Sequence, residues 1–391
     1  MQDIYCPRFG DALRTNQCTH GDSFDSRPLT FLTKGRHRQF RFLKMSINGD
    51  ALLWIDLEMD GLDLSKNFIL EIACIVTDFG LFDVHEGMIT SCHTLQLLRY
   101  RSLAGPDLVI HHSQSLLDAM GPWCMEHHTK SGLVREVLES KVTMADAETK
   151  IIDFIERTTS PVNGRRRLIL AGNSVYTDRY FLEKDMPRLH AMLDPSILDC
   201  SALREFIYRF NLLVLDHAPL KGGNLHRALD DARNSMLELR FYQANAFEER
   251  IPSQERQWPQ KKDRNQFLLW IALNSSIQCI LTDGNLNIID ELSDGKTADE
   301  LMTLCKRNGI TQERMIVPAG MHLGPVRAQL KKIALEFNEF CHYRSADVDV
   351  VSVLCEKWFP KTYAKRPVSG EKNDLKQSID LLHYYRSAIF K

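Results

Sequence analysis

The chain has 391 residues, of which 44% are hydrophobic and 26% charged; that is the composition of a soluble globular protein long enough for two ordinary domains. Its 49 Lys and Arg against 51 Asp and Glu leave a formal net charge of −2, which argues against coating long nucleic acid, a task that needs a basic face over several phosphates. Very short nucleic acid is not excluded, and no apolar run approaches the roughly 18 residues of a membrane helix, so no membrane partner is expected. Ten cysteines without a CxxC pair read as reduced thiols of an intracellular protein rather than as a disulfide or zinc framework.

In chain order, residues 1–44 lack hydrophobic periodicity and carry eight Lys or Arg against four Asp. They read as a disordered extension, with Met45 the working initiator, or as a leader. Asp3, Asp11, Asp22 and Asp25 count against a mitochondrial leader, so the expected compartment is cytoplasmic, mitochondrial or both. "LLWIDLEM" and "FILEIACIVTD" follow as apolar, β-branched buried strands. Residues 88–104 interrupt a strand-turn-strand pattern and read as an insertion. Residues 143–157 have helical spacing with Thr143 at the N-cap, "RRLILAG" is a short buried strand, and 226–247 is a long amphipathic helix. The resulting order, β-β-β-α-α-β-α-α-α, predicts an α/β fold whose mixed, partly antiparallel sheet is flanked by helices.

The chain also resembles itself. "ALLWIDLEMD" at 51–60 has a partner in "FLLWIALNSS" at 267–276, and "IVTDFGLFDVHE" at 75–86 one in "ILTDGNLNIIDE" at 280–291. "RLILAGNSVYTDRYFL" at 167–182 matches "RMIVPAGMHLGPVRAQL" at 314–330, and "SMLELRFYQANAF" at 235–247 matches "SIDLLHYYRSAIF" at 378–390. Four blocks in the same order imply a tandem duplication: residues 45–248, a linker at 249–266 rich in charge and proline, and a shorter copy at 267–391.

The chemistry concentrates in the first copy. Asp56 and Glu58, at i and i+2 of a strand, leave the same face of a sheet too apolar to shelter unpaired carboxylates cheaply. Asp178 opens a helix after a Gly-Asn-Ser turn, and His226 and Asp231 open the long helix. Any one of these alone reads more often as a surface acid or a cap. Together the four acids supply a charge of about −4, which matches two divalent cations for phosphodiester hydrolysis. His226, with an ordinary pKa near 6.5, can take a proton from water at neutral pH.

"WIDLEMDGLD", "EIACIVTD", "GPDLVIHHS", "MGPWCMEHHTKSGL", "AGNSVYTDRYFL" and "HRALDDARNSMLELRFY" resemble the oligoribonucleases, DEDDh 3′-to-5′ exonucleases with a ribonuclease H-like fold. The resemblance spans 51–247 apart from 88–104. It implies Asp56, Glu58, Asp178 and Asp231 as ligands of two Mg²⁺ or Mn²⁺ ions and His226 as general base. It implies Leu62 as a wedge against the substrate base, with Trp123, His128 and Ser174 lining a dinucleotide pocket. The implied activity is hydrolysis of oligoribonucleotides of two to five nucleotides to nucleoside 5′-monophosphates.

Two departures stand out in the first copy: Asp60 where the family has Thr, and Asp194-Pro195-Ser196 where it has "HYR". In the second copy Ala272, Asn274, Val326 and Ser369 replace acids and histidine, and only Asp374 survives, so that copy reads as catalytically dead. It keeps His342-Tyr343-Arg344, the motif that reaches a dimer partner's substrate in the family. The two copies are therefore expected to pack as an intramolecular pseudo-dimer with Tyr343 and Arg344 completing the site, unless the chains form homodimers. A general exonuclease on longer RNA or DNA ends, and a nucleotide-binding scaffold without activity, are the competing readings.

Overall fold

The strands arise where apolar and β-branched residues run together, and the helices where apolar residues recur every three or four positions. A computed structural model describes residues 47–81, 102–210, 212–218, 227–249, 267–273, 276–295, 297–310, 316–320, 323–341, 344–367 and 374–391. In the first half the order is β1 (Ile47–Asn48), β2 (Ala51–Met59), β3 (Ile69–Thr77), β4 (Ser102–Val109), α1 (Gln114–Leu117), α2 (Pro122–Ser131), α3 (Leu133–Glu139), α4 (Met144–Thr158), β5 (Thr159–Ser160) and β6 (Leu168–Gly172). It continues with α5 (Tyr176–Asp185), α6 (Pro187–His190), β7 (Ile197–Asp199), α7 (Cys200–Phe210), α8 (Leu212–Leu215) and α9 (Ala228–Asn245). The second half contains β8 (Phe267–Leu273), β9 (Ile277–Thr282), β10 (Ile288–Gly295), α10 (Ala298–Arg307), β11 (Ile316–Gly320), α11 (Leu323–Ile333) and α12 (Leu335–Phe340). It ends with β12 (Ala346–Asp347), α13 (Val348–Trp358), α14 (Pro360–Ala364) and α15 (Leu375–Ile389).

Two five-stranded sheets have the same plan. One is ordered β4-β3-β2-β6-β7 and the other β10-β9-β8-β11-β12; in each, the first two pairings are antiparallel and the last two parallel. Matching details recur. Trp54 donates its indole N–H to Thr77 at 2.9 Å, and Trp270 donates to Thr282 at 3.0 Å. The expected mixed sheet flanked by helices is present. The three-residue strand β7 was absent from the expected order, being too short to display a period. Thr143 does cap α4, in a capping box with Asp146. Of the expected insertion, residues 88–101 lie outside the described residues, while Ser102, Leu103 and Ala104 are already strand, paired with Thr77, Val76 and Ile75.

All the described residues belong to one compact unit. Leu53, Ile55, Ile155 and Phe181 form a core on one face of the first sheet, and Leu269, Ile271, Leu304 and Phe337 do so on the second. The opposite faces share a single core: Leu52, Trp54, Phe206 and Leu239 from the first half join Trp270, Val351, Leu382 and Phe390 from the second. Phe247 and Phe390 form an antiparallel bridge in which the N–H of Glu248 donates to the Ile389 carbonyl at 2.8 Å and that of Lys391 to the Ala246 carbonyl at 2.9 Å. Charged pairs rim this contact, Arg167 with Glu356 at 2.8 Å and Lys357 with Asp50 at 2.6 Å.

Candidate active site

Leu52 and Trp54 of β2 point into the shared core, so the strand's two-residue alternation carries Asp56 and Glu58 onto that same face. Helix α9 packs there through Ala232, Met236 and Leu239, and Asp231 sits in its first turn. One carboxylate oxygen from each of Asp56, Glu58 and Asp231 lies within 4.8 Å of the other two. Three carboxylates at this spacing repel one another unless a counter-charge sits among them. Burial first, and then the charges of Asp231, Glu71 and Asp178, push the Glu58 carboxyl up to about 8.

Asp178 enters from α5 and is buried; its Oδ1 accepts the Leu57 N–H at 3.0 Å. That bond ties it to the backbone between Asp56 and Glu58, although it is not one of the three converging groups. Burial pushes its carboxyl up to about 7, against the backbone N–H bonds of Asp178 and Leu57. The turn preceding α5 is held by a residue that sequence reasoning missed. Asp199 Oδ1 accepts the N–H groups of Ser174, Ser201 and Ala202 at 3.0, 2.8 and 3.3 Å, which holds Ser174 in the left-handed region at φ 55°. Ser174 is exposed, with its Oγ 3.2 Å from Ser201 Oγ.

His226 lies outside the described residues. Its neighbour Arg227 is clamped: the guanidinium donates to the fully buried Glu71 at 2.7 Å and to Glu136 at 2.8 Å. Glu71 Oε2 also accepts the Ala228 N–H at 3.2 Å, so a carboxylate meets the first turn of α9 where the helix dipole favours it. The Glu71–Arg227 pair thus anchors the end of α9 that carries Asp231. An acid inside "FILEIACIVTD" was the available signal, since a buried acid requires a partner.

His128 is buried, with Nε2 2.9 Å from the Met59 carbonyl oxygen and Nδ1 3.9 Å from Glu58, so the structure brings it beside the acidic cluster. Leu62 is 63% exposed and Trp123 59% exposed. The Trp123 indole stacks on His127 with ring centroids 4.0 Å apart. Asp60 is buried and turned to the β2–β3 connection, accepting the Phe68 N–H at 2.6 Å; it does not join the converging acids.

Tyr343 lies outside the described residues. Arg344 does cross between the halves, where it pairs with Glu205 of α7 at 3.2 Å. Asp194-Pro195-Ser196 forms a clamp, with Asp194 accepting from Arg167 and from the Ser196 N–H, both at 2.9 Å. In the second half Ala272 is buried in the shared core and Val326 is packed against the second sheet's own core. Asp374 caps α15 by accepting the Lys376 N–H at 2.8 Å. Asn274 and Ser369 lie outside the described residues.

The donor set at Asp56, Glu58 and Asp231 is all carboxylate oxygen, the chemistry of a hard divalent cation such as Mg²⁺ or Mn²⁺. Three such oxygens within 4.8 Å of one another fit a divalent cation.

Residues 53–239 match the family RNase_T, described as Exonuclease. The chain is similar to the human mitochondrial oligoribonuclease, 38% identical over 205 residues that cover 52% of this chain and 77% of the relative. It is 40% identical to a probable oligoribonuclease of Drosophila melanogaster over 50% of this chain and 82% of that protein. It is also 40% identical to an Arabidopsis thaliana oligoribonuclease over 51% and 79%.

The acidic cluster sets a pH dependence. The Glu58 carboxyl, ordinarily near 4.5, is pushed up to about 8 by burial and its acidic neighbours, so between these values the folded protein keeps a proton that the unfolded chain has released. Stability therefore falls as pH rises through that window. The melting temperature of metal-free protein is expected to decline from about pH 5 to pH 8, with Mg²⁺ restoring it at the upper end. Glu58→Gln, which cannot ionise, should make the decline shallower; an unaltered slope in that variant would remove Glu58 as its source.

Proposed function

This chain belongs to the oligoribonuclease family, and on that premise we propose that Asp56, Glu58, Asp178 and Asp231 hold two divalent cations, Mg²⁺ or Mn²⁺, while His226 acts as general base. The protein is a 3′-to-5′ exoribonuclease acting on short oligonucleotides. The proposed substrates are two to five nucleotides long and the products nucleoside 5′-monophosphates. The observation that carries this reading is the convergence of the half-buried Asp56, Glu58 and Asp231 within 4.8 Å of one another.

When bound, the cations neutralise the carboxylates and offset charge developing at phosphorus and on the departing 3′ oxygen. The chain's own residues supply placement. The Leu57 N–H holds Asp178 beside the pair on β2, and the Glu71–Arg227 anchor fixes the start of α9, next to His226. His226 accepts the proton of the attacking water. Trp123, exposed and stacked on His127, supplies an indole for a base to meet, and the exposed Leu62 offers an apolar wedge. His128 borders the pocket beside Glu58, and Ser174 lines it from the turn before α5.

In this reading residues 45–248 are the catalytic copy and 267–391 a degenerate copy arisen by tandem duplication. The matching sheet orders support this, as do Ala272, Val326 and the capping role of Asp374. Tyr343 and Arg344 of the second copy complete the substrate site and hold the 5′ phosphate. The Arg344–Glu205 pair supports a side chain that crosses to the first half. Among the described residues no helix is long and apolar enough to cross a membrane.

Purified protein with Mg²⁺ or Mn²⁺ is expected to hydrolyse a 5′-phosphorylated RNA dinucleotide far faster than an RNA twenty-mer, and Asp56→Asn should reduce the rate to background. Equal rates on both substrates would favour the general exonuclease, and absence of turnover the scaffold.

Arg344→Ala should raise KM for the 5′-phosphorylated dinucleotide by about tenfold, the scale of one charge-assisted contact. It should change little for the same dinucleotide lacking the 5′ phosphate. Equal effects on both substrates would assign Arg344 to the interface with Glu205 alone.

A further inference from the structure

At its centre the contact between the halves is nearly two-fold symmetric. Phe247 bridges Phe390 and the two backbone hydrogen bonds exchange equivalent residues. Phe210 meets Phe390 with ring centroids 5.2 Å apart, and Phe247 meets Trp358 at 5.6 Å. Each of these is the other contact with the halves exchanged. Such self-complementarity suits a surface that pairs with a copy of itself.

Away from that centre the symmetry breaks at one place. The sheet registers define which residues correspond: Gly172 pairs with Asp199 across β6–β7, and Gly320 with Asp347 across β11–β12. Four residues beyond each glycine stand Tyr176 and Gly324, which are therefore equivalent positions. The Tyr176 ring fills the space beside Gly324, where a Cβ on the glycine would overlap its Cδ1 and Cε1 atoms. The Tyr176 hydroxyl donates to Asp347. Asp199, the counterpart of Asp347, accepts the N–H groups of Ser174, Ser201 and Ala202 on its Oδ1, and Asp347 accepts the Asp349 N–H on its own Oδ1.

We propose that Tyr176, Gly324 and Asp347 form a heterotypic lock that admits the C-terminal half of the same chain as partner of the catalytic half and refuses a second catalytic half. The inference rests on the duplication reading above, but not on the activity assigned to it. Two catalytic halves pairing in this way would place Tyr176 opposite Tyr176. Each ring would then need the space that the other residue's Cβ occupies.

The rim agrees. By the same correspondence Ser196 would replace Arg344 opposite Glu205, and Tyr208 would replace Glu356 opposite Arg167, so both ion pairs would be lost. Pairing within the chain keeps every one of these contacts and gains the high local concentration of a tether. The oligonucleotide-cleaving unit is therefore a single chain with a built-in partner.

Sedimentation of the full chain tests this, and does so without reference to catalysis. The wild type should remain a 45.0 kDa monomer across the micromolar range. Gly324→Leu should drive the Tyr176 ring out, with loss of the monomer to larger species and a lower melting temperature. Adding Tyr176→Gly to Gly324→Leu should restore the monomer, because the leucine side chain then occupies the emptied space. A wild-type dimer, a Gly324→Leu chain indistinguishable from wild type, or failure of the double variant to recover would each overturn the lock. An active wild-type dimer would remove the lock and leave the activity standing; a monomer inert on dinucleotides would do the reverse.

Discussion

Everything at the site depends on the crowding of carboxylates at one end of a buried strand. Asp56 and Glu58 share a face with Trp54 because β-strands alternate, and α9 brings Asp231 to the same place. Uncompensated, this arrangement is unfavourable: burial and the charges of Asp231, Glu71 and Asp178 push the Glu58 carboxyl up. A sheet that half-buries such a cluster favours a cation or protons among the acids. Much of the surrounding structure holds the acids in position: the Leu57 N–H on Asp178, Glu71 on Arg227 and Asp199 on the turn before α5.

Among the described residues, the second half contributes packing and no acid to the cluster. It covers the face of the first sheet that carries Trp54, and its helix α13 packs against β7. Tyr176 stands two residues before Asp178 on α5 and is held by Asp347 from the other half, so the partner half and the acidic cluster lean on the same short helix. A half without acids in the cluster can still be required where it completes the core and anchors that helix.

The alternation of β2, the cap of α4 and the opening of α5 with Asp178 were all legible in the sequence, because each depends on local spacing. The joining of Asp56, Glu58 and Asp231 was legible too, once three acids in apolar surroundings are taken to need one counter-charge. Asp199, Glu71 and Tyr176 were not. Their roles come from partners 25 to 171 residues away, which no local period encodes. Asp60 could be noticed as an unusual acid, but only the Phe68 N–H shows that it belongs to a turn and not to the acidic cluster. The three-residue strand β7 exists because β6 offers it a parallel edge, a cause that lies outside its own residues.

The central claim is that the acidic cluster holds protons until divalent cations replace them, and calorimetry reads this directly. Mg²⁺ or Mn²⁺ would be titrated into the metal-free full chain near pH 7 in buffers of different ionisation enthalpy. The account predicts that cation binding releases protons, so the apparent heat varies with the buffer, and that Asp231→Asn weakens both the binding and the release. Binding whose heat is the same in every buffer, or that is unchanged by Asp231→Asn, would contradict it.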